Sequence, residues 1–125
     1  MPYKLSNKSL QKLEGVHPEM VAIVKLAINL TGQDFSVGEG LRSVARQKKL
    51  VATGKSTTMN SRHITGHAVD LFPYPLSWDW EYFYPIADAM KAAAKELKID
   101  LEWGGDWESF PDGPHFQLSW KDYPK

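Results

Sequence analysis

The sequence predicts an α+β domain in which helices pack on one small, mainly antiparallel sheet, and three observations carry that expectation. From Trp80 the apolar residues Phe83, Ile86, Ala87, Met90, Ala93, Ala94 and Leu97 recur at three- and four-residue intervals, the stripe of an amphipathic helix. Short apolar runs around Phe35 and Val37, over residues 67–72, 101–103 and 115–118 read instead as strands bounded by turn residues. No internal repeat, low-complexity tract or linker divides the chain, so residues 1–125 are expected to form a single domain.

The elements follow in order. Ser6 stands between Leu5 and Leu10 at the spacing of an N-cap with a hydrophobic staple, which predicts a short helix over residues 7–13. Pro18 suits the first position of a second helix reaching about Leu30, with Glu19 in its positive first turn and Val16 and Val21 as another staple. After the strand at Phe35 and Val37 comes Arg42, then a helix over residues 43–52 with Gly54 as a left-handed stop. Residues 55–61 are polar and turn-rich. The run 67–72 alternates around Val69 and Leu71 as a central strand closed by Pro73 and Pro75.

Composition narrows the function classes. With 42% hydrophobic and 24% charged residues the 125-residue chain lies in the globular range, large enough for one core and too small for two. Fifteen basic and fifteen acidic residues cancel, which leaves no global field for nucleic acid or an anionic membrane; the basic run at residues 46–49 reads as the solvated face of a helix. Cysteine is absent, so any metal must be held by His and carboxylate. The first twelve residues lack the apolar stretch of a secretory signal, and no run approaches a membrane span, so synthesis in the cytoplasm is expected.

Of the four histidines, His17 precedes Pro18 at a helix cap and reads as structural. His63 ends a polar loop, seven residues before Asp70 on the central strand. The two-residue period turns Asp70 and Ala68 to one side and His67, Val69 and Leu71 to the other. A carboxylate in so apolar a run needs a partner or a metal. Pro114 forces Gly113 toward extended backbone, which lets Asp112 and His115 converge on the same spot. Two imidazoles and one carboxylate with a fourth position open to water match a catalytic rather than a structural zinc site, although pattern alone leaves this trio one of several His and Asp combinations. A carboxylate three residues from a ligand is placed to move protons; on local sequence Asp112 fits that role and equally the cap of an Asp-Gly turn.

The segments Ser61-Arg62-His63-Ile64-Thr65-Gly66-His67-Ala68-Val69-Asp70-Leu71, Trp103-Gly104-Gly105-Asp106-Trp107 and Asp112-Gly113-Pro114-His115-Phe116-Gln117 together closely resemble the L-alanyl-D-glutamate endopeptidases of bacteriophage endolysins. That group falls in the zinc D-alanyl-D-alanine carboxypeptidase superfamily, whose fold is shared with the Hedgehog signalling domain. Leu5-Ser6 with Ser9-Leu10, Leu13-Glu14-Gly15-Val16-His17-Pro18 and Glu39-Gly40-Leu41-Arg42-Ser43 extend the resemblance over nearly the whole chain.

The resemblance implies Zn2+ on His63, Asp70 and His115, with Asp112 as general base. It sets Arg42 near the scissile carbonyl, where a well-aimed donor contributes about 3 kcal/mol; a surface cation or a clamp for a substrate carboxylate is the alternative reading of Arg42. His67 reads as a core or supporting imidazole and not as a fourth ligand. Ser61 and the run Ser56-Thr57-Thr58 are candidates to line a substrate groove, and Trp103, Trp107 and Phe110 either wall it or belong to the core.

The expected substrate is the stem peptide of peptidoglycan and the expected outcome host lysis. The enzyme is expected to be a monomer with no separate wall-binding domain, no nucleic-acid partner and no stable membrane association. It would reach the periplasm after the inner membrane is breached, in phages usually by a holin. Two rivals remain: a D-alanyl carboxypeptidase of the same superfamily, and a non-catalytic module in which zinc only stabilises the fold.

Overall fold

The structure is a computed structural model and describes residues 3–56, 58, 59, 61–109 and 111–124. Among the described residues, four helices and four strands occur in the order α1 (Asn7–Lys12), α2 (Pro18–Leu30), β1 (Phe35–Glu39), α3 (Val44–Ala52), β2 (Ala68–Pro73), α4 (Trp80–Leu97), β3 (Leu101–Trp103) and β4 (His115–Leu118), with a 3-10 turn at Gly104–Asp106. The starts of α1, α2 and α3 are each sealed by a side-chain cap, whereas Asp79 ahead of α4 makes no such bond. Ser6 Oγ accepts the Ser9 N–H at 3.1 Å, His17 Nδ1 accepts the Glu19 N–H at 3.1 Å ahead of Pro18, and Ser43 Oγ accepts the Arg46 N–H at 3.1 Å. Gly54, at φ +77°, follows α3 in the left-handed region.

The strands form one sheet in the order β1-β2-β4-β3, and all three pairings are antiparallel. One face is the core. Val69, Leu71, Phe116, Leu118 and Trp103 are buried on it, with α4 packed on β2 and β3 and α2 packed on α4. Met20, Ile23, Val24, Ala27 and Ile28 of α2 face Phe83, Ile86, Ala87, Met90, Ala93 and Ala94 of α4, two stripes at helical spacing. Leu97 departs from the expected stripe and is 39% exposed. The helix ends there, Lys98 turns left-handed, and the partly buried Ile99 folds back onto the core in its place, its N–H donating to Ala94 O.

Residues 46–49 correct a second expectation. Arg46, Lys48 and Lys49 are exposed, but Gln47 is fully buried, because it lies on the inner side of α3 with the half-buried Leu50 and Val51. Its amide donates to Ser56 Oγ at 2.9 Å and Thr58 O at 2.6 Å, which anchors the polar loop that follows.

The free edge of the sheet is tied down by α1: the Val37 N–H, turned away from β2, donates to buried Ser9 Oγ at 2.9 Å. Ser9→Ala would orphan that N–H and is expected to cost about 1–3 kcal/mol. Urea unfolding checks this, and a midpoint equal to that of the wild type would contradict it.

Candidate metal centre

The other face of the sheet carries the polar groups, and strand register explains why they meet. Asp70 of β2 lies directly opposite His115 of β4, so the two side chains stand next to each other on one face. On the far side of Asp70 the β1 register slips between Val37 and Glu39, and this bulge turns Glu39 to the same face rather than into the core with Val37. Glu39, Asp70 and His115 thus form a row across three strands. His63 reaches the row from the loop before β2, its ring edge-on to that of His115 at 5.1 Å.

Distances among the three ligand candidates are short. His63 Nε2 lies 3.2 Å and His115 Nδ1 3.4 Å from the same oxygen, Asp70 Oδ1, and one ligand atom from each residue falls within 4.8 Å of the others. Both imidazoles are buried and Asp70 is half-buried.

The remote ring nitrogens set the tautomers. His63 Nδ1 lies 2.9 Å from Gly40 O, which can only accept, so Nδ1 holds the proton and Nε2 presents its lone pair. His115 Nε2 lies 2.7 Å from Gln117 Oε1, which by the same reasoning frees Nδ1. Without a metal the nitrogens facing Asp70 take up protons instead: burial opposes ionisation of Asp70, but hydrogen bonds and attraction from protonated His115 and His63 hold it well below the ordinary carboxylate range. Burial pulls His115 down, yet Asp70 outweighs it and leaves that imidazole raised.

This donor set fits zinc. Tetrahedral coordination at 2.0–2.2 Å separates two ligand atoms by about 3.4 Å, which is the spacing of both imidazole nitrogens from Asp70 Oδ1. Two neutral imidazoles and one carboxylate, each oriented by a second partner, are also the ligand chemistry of open zinc sites.

Around the trio lies a cleft of about 670 Å³ that includes Arg42, Arg46, Ser61, Trp107, Asp112 and Trp120. The Arg42 guanidinium is buried rather than a surface cation. It donates from Nε and Nη2 to Glu39 at 2.8 and 2.6 Å and from Nη1 to Gln47 Oε1 at 2.7 Å, and Nη2 stands 3.9 Å from Asp70 Oδ2. Although burial opposes it, Glu39 is held below its ordinary pKa by Arg42 and then Arg46. Asp112 sits at the cleft edge, its N–H donating to Gly104 O at 2.9 Å. Desolvation by the wall beneath it and repulsion from Asp70 push its pKa up. A Cβ on Gly104 would stand 2.5 Å from Asp112 O, so only glycine permits this approach.

Two expected positions are corrected. Trp103 is buried in the core, stacked on Phe116 with its Nε1–H donating to Gly113 O at 2.7 Å, and does not line the cleft; its strand turns it to the apolar face. Trp107, 5.2 Å from the His115 ring, and Trp120 form the aromatic wall instead. His67 is neither core nor a support of the trio. It is half-exposed on the opposite side of the strand, near the rings of His17 and Tyr123 and bonded to Thr65 Oγ1. Ser61 lines the cleft and accepts the His63 N–H at 3.2 Å, and Ser56 and Thr58 line it as well. Thr57 and Phe110 lie outside the described residues.

Glu39, Gln47 and Gln117 were not singled out by sequence reasoning. Gln117, two residues from His115 on a strand, shares its face and was detectable by period alone. Glu39 depends on a bulge, for which the sequence carries no pattern.

A family model for phage L-alanyl-D-glutamate peptidases matches residues 1–119. The chain belongs to that family. An L-alanyl-D-glutamate peptidase of Escherichia phage T5 is 35% identical over 119 residues, covering 90% of this chain and 87% of that protein. The peptidoglycan L-alanyl-D-glutamate endopeptidase CwlK of Bacillus subtilis is 29% identical over 111 residues, 76% of this chain and 66% of its own length. The crystal structure of the Serratia marcescens L-Ala D-Glu endopeptidase ChiX superposes with a TM-score of 0.93 at 48% identity, covering 98% of this chain and 95% of that one. The expected fold class is therefore the observed one.

In the metal-free protein, the lowered Asp70 pKa stabilises the fold in full above the unfolded carboxylate value of about 4, and that contribution is lost as pH falls through the folded value. Asp70→Asn should accordingly be less stable than the wild type at neutral pH, with the gap closing below about pH 4. Denaturant unfolding of both proteins between pH 7 and 2 measures it; a gap that does not change with pH would contradict the assignment.

Proposed function

We propose that this family member is a zinc peptidase that hydrolyses the L-alanyl-D-glutamate bond of peptidoglycan stem peptides, with His63, Asp70 and His115 as ligands. The observation that supports it most is the shared Asp70 Oδ1, with both imidazole lone pairs oriented toward it at tetrahedral spacing. Bound there, zinc would supply Lewis acidity, lowering the pKa of a ligated water to about 7 and polarising the carbonyl under attack. The bond assignment rests on the family and on relatives that carry that activity in their names.

The chain's own residues then have separable tasks. Asp112, beside the trio and raised in pKa, takes a proton from the attacking water and returns it to the leaving nitrogen. It suits this shuttle because its side chain remains accessible while its backbone is clamped to Gly104. Arg42 stabilises negative charge growing on the carbonyl oxygen. Glu39 and Gln47 occupy three of its five N–H donors and fix the plane of the guanidinium, which leaves two for substrate. Ser61 orients the His63 backbone and lines the groove that would hold the peptide. The reading places the action at the cell wall, with holin-dependent access carried over from the resemblance.

Digestion of purified peptidoglycan with mass spectrometry of the products tests the bond. New L-alanine carboxyl and D-glutamate amino termini are expected, whereas freed D-alanine without them would make the protein a carboxypeptidase. Asp112→Asn should fold and bind zinc as the wild type does yet lose at least about 100-fold in turnover. A fully active variant would remove Asp112 as the proton carrier.

A further inference from the structure

Beside the cleft lies a second, smaller groove of about 200 Å³, lined by Trp78, Trp80, Phe83, Pro111, Asp112, Gly113 and Pro114. Asp112 is the one lining residue the two have in common among the described residues, so the grooves meet at the proposed proton carrier. We propose that this aromatic groove seats the amino-sugar ring from which the stem peptide hangs. The inference rests on the bond assignment above and deepens it.

Substrate chemistry sets the distance. In peptidoglycan L-alanine is the first residue of the stem, joined through a lactyl group to the sugar, so the sugar begins within about two residue lengths of the L-alanyl-D-glutamate amide. That is roughly 7 Å of extended chain, and the groove that starts at Asp112 is within reach.

The chemistry of the surface fits as well. Trp78 is 66% exposed and Trp80 39%, and both line the groove, so two indoles stand side by side at its surface rather than as scattered apolar residues. Trp78 is held edge-on by Phe72 at 5.4 Å, and Trp80 lies 6.0 Å from Tyr84 and 6.2 Å from Trp103, so the rings are braced before any ligand arrives. Braced indoles offer flat apolar faces to the C–H face of a pyranose, while its hydroxyls stay in water.

Charge separates the two halves of the substrate. The cations Arg46 and Lys55 line the large cleft and not the aromatic groove, which suits the carboxylates of D-glutamate and the residues after it. The charges that flank Trp80 in the chain, Asp79 and Glu81, are acidic, and Lys91, over the Trp103 ring, is paired with Asp106 at 2.8 Å. That balance disfavours an anionic lipid surface as the occupant.

Two substrates test the proposal: a disaccharide-peptide with the intact sugar, and the same peptide N-acetylated without it. Wild type should cleave the first with kcat/KM about tenfold higher. Trp78→Ala, whose ring is mostly exposed, should lower the first value by about tenfold through KM and leave the second unchanged, with Trp78→Phe restoring most of the loss. Equal losses on both substrates, or none, would overturn the sugar seat.

Independently of cleavage, titrating the peptide-free disaccharide should shift the indole NMR signals of Trp78 and Trp80 in the wild type and not that of Trp80 in Trp78→Ala. Absence of shifts would likewise overturn it. If neither substrate is cut, the peptidase reading fails and the titration still decides sugar binding. Binding to anionic phosphatidylglycerol vesicles that needs Trp78, with no response to disaccharide, would assign the patch to a membrane and refute the proposal.

Discussion

Three side chains from a loop and two strands share one point because β2 and β4 pair in a single register. With Asp70 opposite His115, a carboxylate oxygen and an imidazole nitrogen stand 3.4 Å apart without any long side chain having to search for its partner. A slip by one residue would turn Asp70 into the core and Val69 into the cleft. The apolar alternation that builds the core and the polar alternation that builds the site are therefore one constraint. Burial of Val69, Leu71, Phe116 and Leu118 enforces it from behind.

A register sets positions, but chemistry needs orientation. Gly40 O and Gln117 Oε1 supply it by holding the remote nitrogens of His63 and His115, so both lone pairs aim at Asp70 Oδ1. A Cβ on Gly40 would stand 2.1 Å from the Lys12 carbonyl, which ties the orientation of His63 to the close passage of α1. The same economy extends outward through Glu39, Arg42 and Gln47, where one buried network fixes a guanidinium, neutralises it and anchors the polar loop of the cleft. The site is the polar surface of a packed sheet and not an attachment to it.

Much of this was legible in the residues, for identifiable reasons. Helix starts at Ser6, Pro18 and Ser43 announce themselves because capping is local chemistry, and the strands at residues 101–103 and 115–118 are bounded by glycine and proline. His63, Asp70 and His115 stood out because polar ligand types in apolar or turn contexts are costly without a partner. What escaped depends on long-range geometry. Trp103 and Trp107 are indistinguishable as aromatic residues, and only the register of β3 on β4 sends the first into the core. Gln47 sits in a basic run that reads as solvated, while Arg42 and the loop at residues 56 and 58 draw it inward. The bulge that aims Glu39 has no sequence signature.

The central claim is that His63, Asp70 and His115 together hold one divalent ion. Isothermal titration of metal-free protein with zinc tests it most directly, in parallel with His63→Ala and His115→Ala. One zinc per chain is predicted for the wild type, with a thermal midpoint that rises with free zinc as ligand linkage requires, and a large loss of affinity in either variant. Absence of binding by the wild type, or binding that survives both substitutions unchanged, would contradict the account.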